Sequence, residues 1–265
     1  RYVTTVPGYE HLAEAEKTTL GFRDSNNYCP STPETYEGFF ALMDELIEVF
    51  EPKYFHNGHD EATFDDIGTC PRCKGKAPAD LFAGDVTKLH DYLAEKGITT
   101  LMWGDMFLPT HNGLKYDTVQ STDKVPKDII ICDWHYSPTH DNDASLQYFQ
   151  DHGFRAVGSP WYEALNVWNW GRQVKEHGVL GYLGTTWSGV RNGFDRVPHM
   201  GMAWVVGAEN CWSVEKPTID QVSYQPVPMF NRLWQLGQTA TPKSFKLADL
   251  APFCNESTVE SDGGV

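Results

Sequence analysis

The chain has 265 residues, 40% hydrophobic and 22% charged, which supports a buried core and excludes wholesale disorder. Its formal net charge is -15 and no basic stripe is visible, so a nucleic-acid partner is not expected. No run approaches the roughly 20 apolar residues that span a bilayer, so no membrane partner is expected either.

Short β-rich runs alternate with helical patterns, the mark of βα units on a parallel sheet. Tyr2 to Val6 reads as a strand closed by Pro7-Gly8. Ser31-Thr32-Pro33-Glu34 reads as a helix start, with a capping-box Ser and Glu and a Pro in the first turn. That helix is expected to reach about Phe50 and to bury Phe39, Leu42, Met43, Leu46 and Phe50. Lys53 to Asn57 is a strand, followed by a helix from about Asp80 to Lys96 with Phe82, Val86, Leu89 and Leu93 on one face. Gly97 stops the helix and Ile98 to Trp103 is the next strand.

The alternation continues with a strand from Asp128 to Trp134 and a helix from Ala144 to His152 closed by Gly153. Phe154 to Gly158 is a strand, Val167 to His177 a helical stretch, Val179 to Thr186 the last clear strand, and Val197 to Trp212 a helix. Six predicted strands fall short of a closed eight-stranded barrel. The expected fold is α/β: a TIM-type (β/α)8 barrel, or an incomplete version starting near the third strand, with an open doubly wound sheet as the alternative. Residues 1–254 form one barrel domain and 255–265 a polar tail in this reading.

In such barrels the site lies at the C-terminal ends of the strands. There the sequence places His56-Asn57-Gly58-His59-Asp60-Glu61, Trp103-Gly104-Asp105, Asp133-Trp134-His135-Tyr136, Pro160-Trp161-Tyr162-Glu163 and Trp187-Ser188. Four of these ends carry a Trp, which fits a pocket that stacks flat apolar faces such as those of sugar rings. Asp60-Glu61 is the sharpest feature. Two adjacent carboxylates also fit a solvated acidic turn, but the Gly before them allows unusual backbone angles and the flanking His residues can hydrogen-bond carboxylates.

The run Tyr54 to Glu61 resembles the His-x-Gly-Gly-Asp-Glu signature of glycoside hydrolase family 20, the β-N-acetylhexosaminidases and relatives. Cys29-Pro30-Ser31-Thr32-Pro33-Glu34-Thr35-Tyr36 resembles the segment that precedes that signature. Leu101 to Asp105, Ser159 to Tyr162 and Trp187-Ser188 are similar to the family's Trp-x-Glu/Asp, Trp-Tyr-Leu-Asp and Trp-Ser-Glu strand ends, in the right order. The resemblance implies a retaining reaction in which the substrate's own 2-acetamido oxygen attacks the anomeric carbon. It implies Glu61 as general acid and base, Asp60 as the group orienting the acetamido, and Tyr162 as its hydrogen-bond partner. Trp103, Trp134 and Trp187 wall the pocket in this reading, with His56, His59, Asp105 and Trp161 as further substrate contacts. The substrate is a glycan or glycoconjugate bearing terminal N-acetylhexosamine.

The pattern also departs from the family. His59 stands at the second Gly, Gly189 at the Glu of Trp-Ser-Glu, and Ala164 at the Asp of Trp-Tyr-Leu-Asp; Thr5 and Tyr9 stand near an expected Asp and His. This leaves Asp105, Glu163 and His59 as candidates for reading the sugar. A non-catalytic carbohydrate-binding barrel is the alternative function. A metal-dependent hydrolase using His56, His59, Asp60 and His135 is the third, although the His spacing is not the helical i, i+4 of zinc proteases.

Six Cys occur, and Cys70-Pro71-Arg72-Cys73 is a C-x-x-C that fits half a zinc site, a disulfide or redox pair, or two ordinary thiols. A zinc site must recruit Cys29 or a His. No cofactor is expected, with a structural zinc at Cys70, Cys73 and Cys29 as the exception. An extracellular, periplasmic or lysosomal location is expected, and Asn255-Glu256-Ser257 is a sequon for a secreted eukaryotic protein.

Overall fold

A computed structural model of the chain describes residues 10–12, 27–62, 67–68, 70–137, 143–161, 163–187, 197–212 and 225–239. The strand expected at Tyr2 to Val6, the positions Thr5, Tyr9, Tyr162 and Gly189, and the polar tail lie outside these residues. Four parallel strands, β1 (Tyr54–His56), β2 (Thr99–Trp103), β3 (Ile130–Asp133) and β4 (Arg155–Gly158), form a sheet in sequence order. Tyr54 faces Thr99 and Leu101 faces Ile130 across the ladders. Parallel neighbours in sequence order, with α2 joining β1 to β2, α3 joining β3 to β4 and a short 3-10 turn at Val119–Asp123 between β2 and β3, are what consecutive βα units produce. Helices α1 (Pro33–Phe50), α2 (Pro78–Ala94), α3 (Asp143–Asp151), α4 (Ala164–His177), α5 (Val197–Trp212) and α6 (Pro226–Thr239) complete the regular structure.

The chain divides into two units, the first comprising residues 1–134 and 145–156 and the second residues 135–144 and 157–265. In the first, Phe82, Val86, Leu89 and Leu93 of α2 are all buried, as their spacing requires. Tyr36 and Met43 of α1 pack with Leu89, Leu93 and Ile98. β3 is buried along its whole length, the pattern of a strand covered on both faces. Gly104 follows β2 because a Cβ there would lie 2.6 Å from Phe149 and 2.7 Å from Ile131. In the second unit α5 packs on both α4 and α6. Val167, Trp168, Ala203 and Val206 form its core, and Asn210 Nδ2 donates to the Val167 and Trp168 carbonyls at 3.1 Å each.

Three expectations need correction. The helix start at Ser31 is not a capping box: Thr32 is the N-cap without a side-chain bond, and Ser31 Oγ accepts from Lys76 at 2.7 Å instead. Leu42 and Phe50 of α1 are 51% and 71% exposed, so the apolar stripe read from the spacing is only partly covered among the described residues. Val179 to Thr186 is not a full strand. It makes one parallel bridge, Tyr182 to Gly158, because Gly178 precedes the run, Gly181 and Gly184 interrupt it, and Gly181 sits at φ 147°. Helix α6 had no counterpart in the sequence reading; its Pro226 and Pro228 at the start obscured the pattern that follows.

Candidate active site

In the first unit the chain leaves β1 at His56 and turns sharply through Gly58, His59 and Glu61, at φ 81°, 69° and 43°. Left-handed angles are free for Gly but cost a side-chain-bearing residue on the order of 1–2 kcal/mol. His59 and Glu61, two such residues within three positions, therefore need outside support, and polar bonds supply it. The His59 ring is held at both nitrogens, by Asn57 Oδ1 at 3.1 Å and Asp85 Oδ2 at 2.9 Å. The Glu61 backbone N–H donates to Asp105 Oδ2 at 2.9 Å.

Asp105, 1% exposed just past β2, is the hub of this site. It accepts from Glu61, from Asn112 Nδ2 at 2.8 Å and from Trp134 Nε1 at 3.2 Å. Burial, reinforced by the Asp60 charge, pushes its carboxyl up to about 6 against the hydrogen bonds that favour the ionised form. Trp134 is fixed on a second side by the His111 ring, whose centroid lies 4.2 Å away edge-on. The His56 ring is tilted against Trp103 at 4.4 Å, and its Nδ1 accepts from the Gly58 N–H. Burial, then the His59 charge, lowers the His56 imidazole to about 4, so the ring is neutral across the physiological range.

Asp85 of α2 supports the turn from below. It is buried and accepts from Tyr28 at 2.5 Å, Tyr36 at 2.6 Å and His59. Burial alone would raise its carboxyl, but these donors and the His59 charge hold it below the usual carboxylate range. A cavity of about 410 Å³ adjoins this network, lined by the turn itself from His56 to Asp60, by Asp85, and by the apolar side chains Phe39, Met43, Leu46, Phe82 and Leu89.

In the second unit the Trp161 and Tyr136 rings meet at 5.2 Å, and Trp187 Nε1 donates to Tyr136 Oη at 2.7 Å. Asn166 ties these ends together: its Oδ1 accepts from the Trp161 N–H at 3.1 Å and its Nδ2 donates to His135 O at 2.8 Å. Trp187 is 46% exposed.

Of the expected substrate contacts, His59 and Asp105 also bond to internal partners that hold the turn. Glu163 is the N-cap position of α4. Asn112, Asp85 and Asn166 escaped the sequence reading, since a single Asn or Asp in a loop or helix gives no signal until its partners are placed, and the lone His111 reads from sequence as a surface or cap residue. The metal-hydrolase arrangement of His56, His59, Asp60 and His135 is not among the clusters that could hold an ion; among the described residues Cys29, Cys70 and Cys73 are.

Parallel strands in sequence order, with the adjacent acids Asp60 and Glu61 following the first of them, are the arrangement from which α/β barrels are built. The profile of the glycosyl hydrolase family 20 catalytic domain matches residues 4–179, and the chain belongs to that family. A lacto-N-biosidase of Bifidobacterium bifidum is 29% identical over 125 residues, 43% of this chain and 10% of that protein. An exo-β-N-acetylglucosaminidase of Vibrio harveyi, solved with N-acetylglucosamine, is similar in fold at TM-score 0.59 and 17% identity, over 86% of this chain and 40% of that one. Its D437A inactive mutant gives TM-score 0.55 and 18% identity, over 77% of this chain and 36% of that one. The chain thus spans well under half the length of these relatives.

Proposed function

We propose that this chain carries the catalytic acids of a retaining β-N-acetylhexosaminidase with a complete (β/α)8 barrel as its working form. The carrying observation is the strained turn after β1, where Asp105 fixes the Glu61 backbone beside Asp60. Such a turn is maintained against its conformational cost, which a solvated acidic loop has no reason to bear. Family membership and the V. harveyi enzyme's printed activity point the same way.

In the reaction, the substrate's acetamido oxygen attacks the anomeric carbon from its own ring, and Glu61 gives a proton to the departing glycosidic oxygen. Asp60 faces the acetamido N–H and offsets the positive charge that grows there. Glu61 then takes a proton from the water that opens the cyclic intermediate, so the anomeric configuration is retained. Trp134, pinned by Asp105 and His111, offers an indole face to the sugar. Trp161 and Trp187 offer the same kind of surface, and Tyr162 a hydroxyl for the acetamido oxygen. Substrates are glycans or glycoconjugates ending in N-acetylhexosamine, and the enzyme works where these are found, outside the cytoplasm.

The test is turnover of p-nitrophenyl N-acetyl-β-glucosaminide. Glu61→Gln is expected to lower kcat/KM by about 10²–10⁴-fold with an unchanged circular dichroism spectrum. A dinitrophenyl glycoside, whose leaving group needs no proton, should restore much of the bond-breaking step in Glu61→Gln but not in Asp60→Asn. Undiminished turnover in Glu61→Gln would refute the assignment. Binding of N-acetylglucosamine without hydrolysis by the unmutated protein would favour the carbohydrate-binding barrel.

A further inference from the structure

The mechanism makes no use of the densest group of reactive side chains in the first unit. Cys29, Cys70 and Cys73 are all buried, and their sulfurs lie within 4.8 Å of one another. Cys29 Sγ is 3.5 Å from Cys70 Sγ and 3.4 Å from Cys73 Sγ. A tetrahedral zinc with Zn–S bonds of about 2.3 Å sets its sulfurs about 3.8 Å apart, close to this spacing. A disulfide joins two sulfurs and gives no account of a third held equally near.

The local backbone is shaped for a metal loop. The N–H groups of Cys73 and Lys74 both donate to the Cys70 carbonyl, at 3.0 and 2.9 Å, which folds the C-x-x-C onto itself. Gly75 follows at φ 85° and lets the chain turn away. The Arg72 guanidinium, inside the C-x-x-C, donates to the His11 carbonyl at 2.9 Å. Among the described residues no His, Asp or Glu joins the three sulfurs. Ser31 Oγ, which accepts from Cys73 Sγ at 3.2 Å, stands beside the three sulfurs.

We propose that these three cysteines bind one zinc ion as a structural site. Thiolates favour zinc over hard cations, and an iron–sulfur cluster takes four cysteines rather than three. The ion fastens the segment after the catalytic turn to the start of α1. Cys29 adjoins Tyr28, whose hydroxyl holds Asp85, which in turn holds His59. Zinc thus braces the turn through Tyr28 and Asp85. The site stands on the cysteine geometry alone and does not depend on the glycosidase reading.

The experiment uses the full chain, purified without chelator and freed of any affinity tag. Elemental analysis is expected to find about one zinc per chain. Titrating the thiols with an organomercurial should release that zinc to a colorimetric indicator. Replacement by Co(II) should give a thiolate-to-metal charge-transfer band and tetrahedral d–d bands. Cys73→Ser should lower retained zinc by at least about tenfold. If that variant fails to fold, the organomercurial titration of the unmutated chain still decides. No metal in the purified protein together with no cobalt band after reduction overturns the site. A disulfide among these cysteines in intact-mass analysis overturns it equally.

Discussion

Asp105 and His56 carry opposite proton linkages, and together they give the site a distinctive pH signature. The folded Asp105 carboxyl titrates near 6, above the ordinary 3.8, because it is buried. The folded state therefore holds its proton more tightly, and this contribution is complete below about 3.8 and lost as pH rises through 6. His56 titrates near 4, below the ordinary 6.5, so its contribution is complete above about 6.5 and lost as pH falls toward 4. Each shift corresponds to on the order of 3 kcal/mol, with opposite sign. Urea midpoints at pH 4, 5 and 6 should show Asp105→Asn gaining stability with pH relative to the parent, and His56→Gln losing it. Parallel slopes in all three proteins would contradict this account. The sequence marked both residues as site candidates, but it offered them as sugar contacts. Partners such as the Glu61 N–H, 44 positions from Asp105, give no signal in the sequence.

At the scale of elements, Asp85 joins α2 to the α1 entrance and to the turn after β1. Asp85→Ala would leave two tyrosine hydroxyls and the His59 ring without their acceptor in a buried place. The expected loss is about 3–5 kcal/mol, read as a lower urea midpoint. Because Asp85 is held below the usual carboxylate range, its contribution is present above about pH 4 and fades in more acid solution. The gap between parent and variant should therefore narrow below pH 4. An undiminished gap there would assign the loss to packing. The helices and the strands around this clamp were legible because α2 and β3 have complete apolar patterns that match their burial. The exposed stripe of α1 and the broken run 179–186 were not. Periodicity reports which face can be covered, not whether anything covers it, and three glycines in seven residues weaken a strand that its hydrophobic residues suggest. His59 shows the same limit at the site. The sequence showed a His where the family has Gly, but only the left-handed φ and the two ring bonds explain how it is tolerated.

Over the whole molecule the net charge of -15 is the governing quantity, and it separates stability from substrate choice. Like charges repel in the folded chain more than in the expanded one, so self-repulsion lowers stability at low ionic strength. Raising salt from about 10 mM to 150 mM shortens the screening length from roughly 30 Å to 8 Å. If this relieves on the order of 1 kcal/mol, Tm rises by about 2–4 °C. The same field should act on substrates according to their charge. A neutral N-acetylhexosaminide should show a KM that is flat across this salt range, whereas a sulfated or sialylated glycan should bind more tightly as salt screens the repulsion. Thermal melts and KM measured side by side check both halves. A Tm that falls with added sodium chloride would mean that specific ion pairs outweigh the repulsion. A neutral substrate whose KM moves strongly with salt would place charged groups, rather than indole faces, in control of binding.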